Sequence, residues 1–179
     1  MGSSPKGEHL NEEGMGVHFY QGVRDFGRVF PKPRVSTTSP VRMAPKGATL
    51  FAVRAPVGEV NLAVEDVCIG RGVASLYSVE RPATLHFCLR AFRSIWDEYK
   101  GGGTVFASVN GRDVREMRLP MPNDLDGNIE RSLASLLARA VQAEQESARL
   151  AATRDDLLPL LMSGKITVKD AEKTVEEVV

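Results

Sequence analysis

Residues 128–166 read NIERSLASLLARAVQAEQESARLAATRDDLLPLLMSGKI. Within them Ile129, Leu133, Leu136, Ala140, Ala143, Leu150, Leu157 and Leu161 fall on alternating steps of four and three. A mean period of about 3.5 residues keeps one apolar seam turned toward a partner helix along its whole length. Only Ser147 and Arg154 interrupt that seam. About 33 helical residues at roughly 1.5 Å each would run roughly 50 Å, longer than a domain of this size needs for its own core. The stretch therefore predicts a coiled-coil-forming helix that acts as spacer and dimer interface. Near its end Pro159 cannot donate to the carbonyl of Asp155, and its ring crowds that turn. The helix is expected to bend or end there, with the chain beyond it folding back.

Upstream of that helix the pattern changes character. Up to about residue 47 the chain is punctuated by Gly2, Gly7, Gly14, Gly16, Gly22 and Gly27 and by Pro5, Pro31, Pro33, Pro40 and Pro45, which favours turns and short extended pieces. Residues 48–54 (ATLFAVR) form a clean apolar strand bounded by Gly47 and Pro56, and 60–63, 68–69 and 73–77 read as further short strands. Helical spacing of Leu85, Cys88, Leu89, Phe92, Ile95, Trp96 and Tyr99 predicts one helix over 84–99, closed by the glycines at 101–103. A strand at 105–109, a turn at Asn110-Gly111 and a last strand at 117–121 complete the reading, with Phe51, Val53, Leu89, Phe92 and Trp96 as core. The fold class is α+β: a small mixed-sheet domain over 1–122, the long helix over 123–166, and a tail over 167–179.

Composition bounds the function. With 42% hydrophobic and 26% charged residues, the 179-residue chain has ordinary globular composition. No run approaches the roughly 18 apolar residues of a membrane span, and the opening lacks a signal-peptide layout. The expected location is cytoplasmic. Cys68 and Cys88 lack metal or redox spacing and read as buried free thiols. The formal net charge of zero hides an asymmetry, since residues 1–54 carry 8 Lys and Arg against 4 Asp and Glu. Lys6, Arg24, Arg28, Lys32, Arg34, Arg42, Lys46 and Arg54 set that excess, either as a phosphate-facing surface or as a solvated face.

A search for catalytic chemistry returns none. The glycines at 101–103 lead to Thr104 without the lysine of a phosphate loop, and neither GxSxG nor HExxH occurs. His9, His18 and His86 have no partners at metal or triad spacing. The pairs Glu12-Glu13 and Asp155-Asp156 are adjacent, so their side chains diverge. An Asn-Pro-Pro-Phe type motif for holding a flipped adenine is also missing. The sequence reads as a non-enzyme with no metal and no cofactor of its own.

Three blocks carry a family resemblance: SPKG at 4–7 leading to FYQG at 19–22; FAVRAPVG at 51–58 leading to CIGRG at 68–72; and RDDLLPLLMSGKI at 154–166. In this order they cover nearly the whole chain, and together they resemble the specificity subunit of a type I restriction-modification system. Members of that family carry two target-recognition domains, each followed by a long helix, and the two helices pack antiparallel so that the domains read two halves of a split site. This sequence has one domain and one helix. It resembles a half-length form, which implies a homodimer through the long helix, double-stranded DNA as ligand, and modification (methyltransferase) and restriction (translocase and nuclease) subunits as partners. S-adenosylmethionine is then expected on the methyltransferase partner. The family pattern also places a strand and a helix before the SPKG block, which is expected to leave this domain without its first strand.

The side chains that could touch DNA follow from that implication and from residue chemistry. Gln21 can pair with adenine while Tyr20 stacks or reaches a phosphate, or Gln21 can satisfy a turn backbone. Arg54, beside Pro56, and Arg71, between two glycines, suit phosphate contact or internal ion pairing. Lys100 and Thr104 bracket the glycine run, and Lys6 sits in the SPKG turn, both as phosphate-ordering loops. The rival classes are a stand-alone DNA-binding dimer and a coiled-coil assembly protein with a decayed recognition domain.

Overall fold

The computed structural model describes residues 1–100, 108–123 and 126–176. They fall into two units, Met1–Leu137 and Ala138–Val179. In the first, the glycine- and proline-rich opening yields short pieces: β1 (Leu10–Asn11), β2 (Val17–Tyr20), β3 (Ser36–Thr37) and β4 (Met43–Ala44). Longer apolar runs give β5 (Thr49–Ala52), β6 (Val60–Leu62), β7 (Val67–Ile69) and β8 (Val73–Leu76). One sheet runs β1-β3-β2-β7-β4 and is mixed, because β2 and β7 pair in parallel with Phe19 opposite Cys68 and Tyr20 opposite Ile69. The other, β6-β5-β8, is antiparallel.

Strand alternation explains why one strand anchors two cores. On β5 Leu50 points into a cluster with Tyr20, Val67, Ile69 and Val73, and its neighbour Phe51 points into a second with Val53, Val57, Trp96 and Val109. Helix α1 (Pro82–Ala91) packs on β5 and β6. The single helix expected over 84–99 is split, because the chain tightens after Ala91 into a 3₁₀ segment, Arg93–Lys100. The bonds show the change of pitch: Phe92 N–H still reaches back four residues to Cys88 (2.9 Å), whereas Ile95 N–H reaches back three to Phe92 (3.0 Å). Phe92, expected in the core, is 38% exposed in consequence, and Trp96 packs 4.9 Å from Phe51. Both cysteines are buried free thiols.

Two further expectations differ. Asn110-Gly111 starts a helix, α2 (Gly111–Glu116), instead of forming a turn: Asn110 Oδ1 accepts from the N–H groups of Arg112 (2.7 Å) and Asp113 (3.1 Å). Asp113 Oδ2 accepts in return from Asn110 N–H at 2.8 Å, closing a capping box. Residues 117–121, expected as a strand, pair with no neighbour among the described residues. Part of the strand expected at 105–109 lies outside the described residues, while Ser108 makes an isolated bridge with Arg54.

The long helix, α3 (Asn128–Met162), has 35 residues, which is about 52 Å at 1.5 Å per residue. Its first turn is fixed to α1: Glu130 accepts from the N–H groups of Ala83 (2.9 Å) and Thr84 (2.8 Å) and from Thr84 Oγ1 (2.7 Å). Those are unsatisfied donors of the α1 N-terminus, which gains a carboxylate cap from another helix. In the second unit α3 continues through Pro159, near which an end or bend is expected, and stops at Met162. Both Pro159 and Asp155 are exposed, so water can take the carbonyl that the proline leaves unbonded. Gly164 ends the helix instead. With φ +69° it lets Gly164 N–H bond Leu161 O (3.1 Å) and Lys165 N–H bond Leu160 O (3.0 Å). The chain then folds back as expected into α4 (Val168–Glu176), capped by Thr167, whose Oγ1 donates to Asp170 at 2.6 Å. That bond and the Thr167 N–H hold the Asp170 carboxyl below its usual range.

Candidate nucleic-acid interface

Two of the quoted blocks meet in space where β2 and β7 end side by side. Gly70 N–H donates to the carbonyl of Tyr20 (2.9 Å) and Gly72 N–H to that of Gln21 (3.2 Å), so the CIGRG loop lies against the FYQG loop. The approach leaves no room for side chains. A Cβ on Gly70 would sit 2.6 Å from Gln21 Oε1, and one on Gly72 would sit 2.5 Å from the Gln21 carbonyl oxygen. The SPKG turn joins them, because Ser4 Oγ donates to Gln21 Oε1 at 3.0 Å and accepts from Arg71 N–H at 3.5 Å. Ser3 N–H bonds Ile69 O at 2.9 Å and ties the same segment down. Lys6, Gln21 and Arg71 thus project from three loops that brace one another.

Gln21 is set from below by a buried carboxylate. Asp25, 5% exposed, accepts from Gln21 N–H (2.8 Å) on Oδ2 and from Arg34 Nε (3.1 Å) and Nη2 (2.9 Å) on Oδ1. A buried charge needs such partners, and here they fix a turn. Gln21 is exposed and among the described residues its side-chain amide donates to nothing, so its NH₂ group and a lone pair of Oε1 are free to bond a ligand. That pair of edges is what adenine recognition in the major groove requires. Ser4 and Asp25 were not singled out from sequence as site residues, and Arg34, one of the basic excess, is held by Asp25. The one signal was an isolated acidic residue, Asp25, in the most basic segment of the chain.

The remaining candidates are distributed. Tyr20 is a core residue, 3% exposed, in the first cluster, and burial together with Glu65 and Asp25 pushes its phenol well above the usual range. Lys6 is largely exposed, 3.8 Å from Glu8. Arg54 and Arg71 are exposed, and neither pairs with a carboxylate among the described residues. Lys100 closes the 3₁₀ segment, and Thr104 lies outside the described residues. No helix among the described residues is long and apolar enough to cross a membrane, and no cluster of three or more potential metal ligands occurs among them.

The seam of α3 is equally plain in the structure. No residue of α3 is buried, and Ile129, Leu136 and Leu150 are 37%, 54% and 37% exposed. Leu133, Ala140, Leu157 and Leu161 are half-buried and Ala143 is exposed. Towards the C-terminal end Leu150, Leu157 and Leu161 share an apolar groove with Val168, Ala171 and Val175 of α4.

No family model matches the sequence. A protein of Methanocaldococcus jannaschii, described provisionally as the type I restriction enzyme MjaX specificity subunit, is 33% identical over 172 residues, covering 94% of this chain and 40% of that protein. The HsdS subunit from Thermoanaerobacter tengcongensis superimposes with a TM-score of 0.61 at 31% identity, over 80% of this chain and 34% of its own. A chain from a structure of the type I R-M system, concerned with complex assembly and conformational transition, gives 0.63 at 30% identity over 91% and 40%. The S subunit of the type I restriction-modification system from M. genitalium shares the fold, with a TM-score of 0.66 at 18% identity, over 90% and 42%. The chain spans less than half the length of each of these relatives.

Proposed function

On the premise that the chain belongs to the type I restriction enzyme specificity subunits, of whose length it spans less than half, we propose that it is a sequence-specific DNA-recognition subunit. The observation that carries this reading is the convergence of Ser4, Gln21 and the Gly70–Gly72 loop on one braced surface. Gln21 reads a base edge there, while Lys6, Arg54, Arg71, Lys100 and Thr104 contact phosphates. Each such domain reads one half of a split double-stranded site. Two copies pair through the exposed seam of α3, and the paired helices dock methyltransferase and restriction subunits in the cytoplasm.

In this reading the chain performs no chemistry. It binds and orients DNA, and the partner methyltransferase holds S-adenosylmethionine. The test is duplex binding by fluorescence anisotropy, across salt, with and without a methyltransferase subunit. Charge reversal at Arg54 or Arg71 is expected to weaken all sequences alike and flatten the salt dependence, whereas Gln21→Ala changes preference more than affinity. Dimerisation without any DNA preference would mark the chain as a coiled-coil assembly protein. Full sequence-specific binding without any methyltransferase association would mark a stand-alone DNA-binding dimer.

A further inference from the structure

Beside the braced loops the first unit holds a cavity of about 390 Å³, walled by Val23 and Phe26–Arg28, by Gly58–Asn61 at the start of β6, and by Arg90 and Arg93 around the end of α1. Three arginines and one carboxylate residue line it. Glu59 is engaged by Arg93, and neither Arg28 nor Arg90 pairs with a carboxylate among the described residues. The one neutral polar side chain among the lining residues, Asn61, is already satisfied. Asn61 accepts from Gly27 N–H at 2.8 Å and donates to the carbonyls of Gly27 (3.0 Å) and Val60 (2.9 Å), which holds that wall in place. The unspent donors are therefore two arginine forks on a fixed frame. Planar guanidinium groups match the oxygens of a phosphate, and two like charges lining one cavity are relieved by an anion between them.

We propose that Arg28 and Arg90 form a phosphodiester-binding subsite that extends the DNA contact beyond Gln21. The inference rests on the DNA-recognition reading above. It is the chain path that favours a backbone phosphate over a free one: the loop that presents Gln21 at one end, fixed at Asp25, presents Arg28 at the other. A phosphate held here positions the duplex without reading its sequence.

The test uses the full chain with Arg28→Ala and Arg90→Ala combined. Binding of a mixed-sequence duplex is measured across salt, beside a control, Lys169→Ala with Lys173→Ala on α4, that removes the same charge at exposed positions elsewhere. Loss of one gripped phosphate is expected to make the slope of log affinity against log salt shallower by about 1, with sequence preference retained and the control unchanged. An unchanged slope, or an equal change in the control, overturns the subsite. A second arm follows thermal stabilisation by sodium pyrophosphate at constant ionic strength. If the wild-type chain binds no duplex, the DNA-recognition reading fails separately. Pyrophosphate stabilisation that depends on the two arginines would then keep a phosphate site fed by free phosphates, and its absence would overturn the site as well.

Discussion

A single histidine shows how a residue that chemistry does not use can still set the conditions under which the domain stands. His86 on α1 is 1% exposed, with Nδ1 3.3 Å from Thr49 Oγ1 on β5. Burial, with help from the Arg90 charge, lowers its pKa from 6.5 to about 4. As pH falls from about 6.5 to about 4, the unfolded chain takes up a proton that the folded chain refuses. Stability is lost across that window, by roughly 3 kcal/mol for this group, and the slope vanishes below it. Urea midpoints measured between pH 7 and pH 4 should fall more steeply for the wild-type chain than for His86→Gln; parallel curves would show that another group governs the acid limb. Residues of this kind are hard to read in advance. Tyr20 looked like a surface residue because it stands beside Gln21, yet β2 lies between β3 and β7 and both Phe19 and Tyr20 are buried on it. Alternation fails on an internal strand covered on both faces, and sequence periodicity gives no warning. Gly70 and Gly72, which flank the exposed Arg71, are themselves buried. What sequence could not show was that the space they free is occupied by Gln21.

Elements were more legible than residues because their periods are long. The seam of α3 and all four strands from β5 to β8 stand where the spacing puts them. The ends of helices were less so, since a cap is a matter of a few bonds: Pro159 predicts a bend or an end nearby, and the helix closes at Met162 on the cap that Gly164 makes through its positive φ. Pro159→Ala should therefore raise stability, by up to about 3 kcal/mol, by restoring a donor in a helix interior while leaving the end of α3 in place. Thermal unfolding measures the first and α3 boundaries from amide exchange the second; a lower midpoint would mean the proline is built into the contact with α4. The seam makes a stronger prediction. Leu136 is 54% exposed in the single chain, and covering such side chains yields about 1.5–3 kcal/mol each. Several along one helix can offset an association cost of about 4–15 kcal/mol. The chain is expected to be a dimer by light scattering at micromolar concentration and a monomer with Leu136→Asp and Ala143→Asp, two changes that lie away from the α3–α4 groove. A monomeric wild-type chain would remove the seam's proposed role.

At the scale of the whole molecule the proposed function turns on a division of labour between a reading surface and a joining helix. In that proposal one surface centred on Gln21 would meet few base edges. Each mismatched pair at such a site costs about 1–3 kcal/mol, so a single copy would discriminate modestly while its arginines would bind any duplex. Two copies joined through α3 convert the second encounter into an intramolecular one, at an effective concentration that can raise avidity by about 10²–10⁴ without any new contact. The free energies of both half-sites then count on the same duplex, and mismatches in either half weaken the complex. The Leu136→Asp, Ala143→Asp monomer should accordingly keep a salt-dependent, weak affinity for duplexes of any sequence and lose most of the discrimination between a split target and its half-site variants. Selection of bound sequences from a random pool, run in parallel on the wild-type chain and the monomer, measures this directly. Enrichment of a two-part motif by the wild type and of a short single motif or none by the monomer is the expected outcome. Equal enrichment of the same motif by both would place specificity within one domain and leave α3 to serve assembly alone.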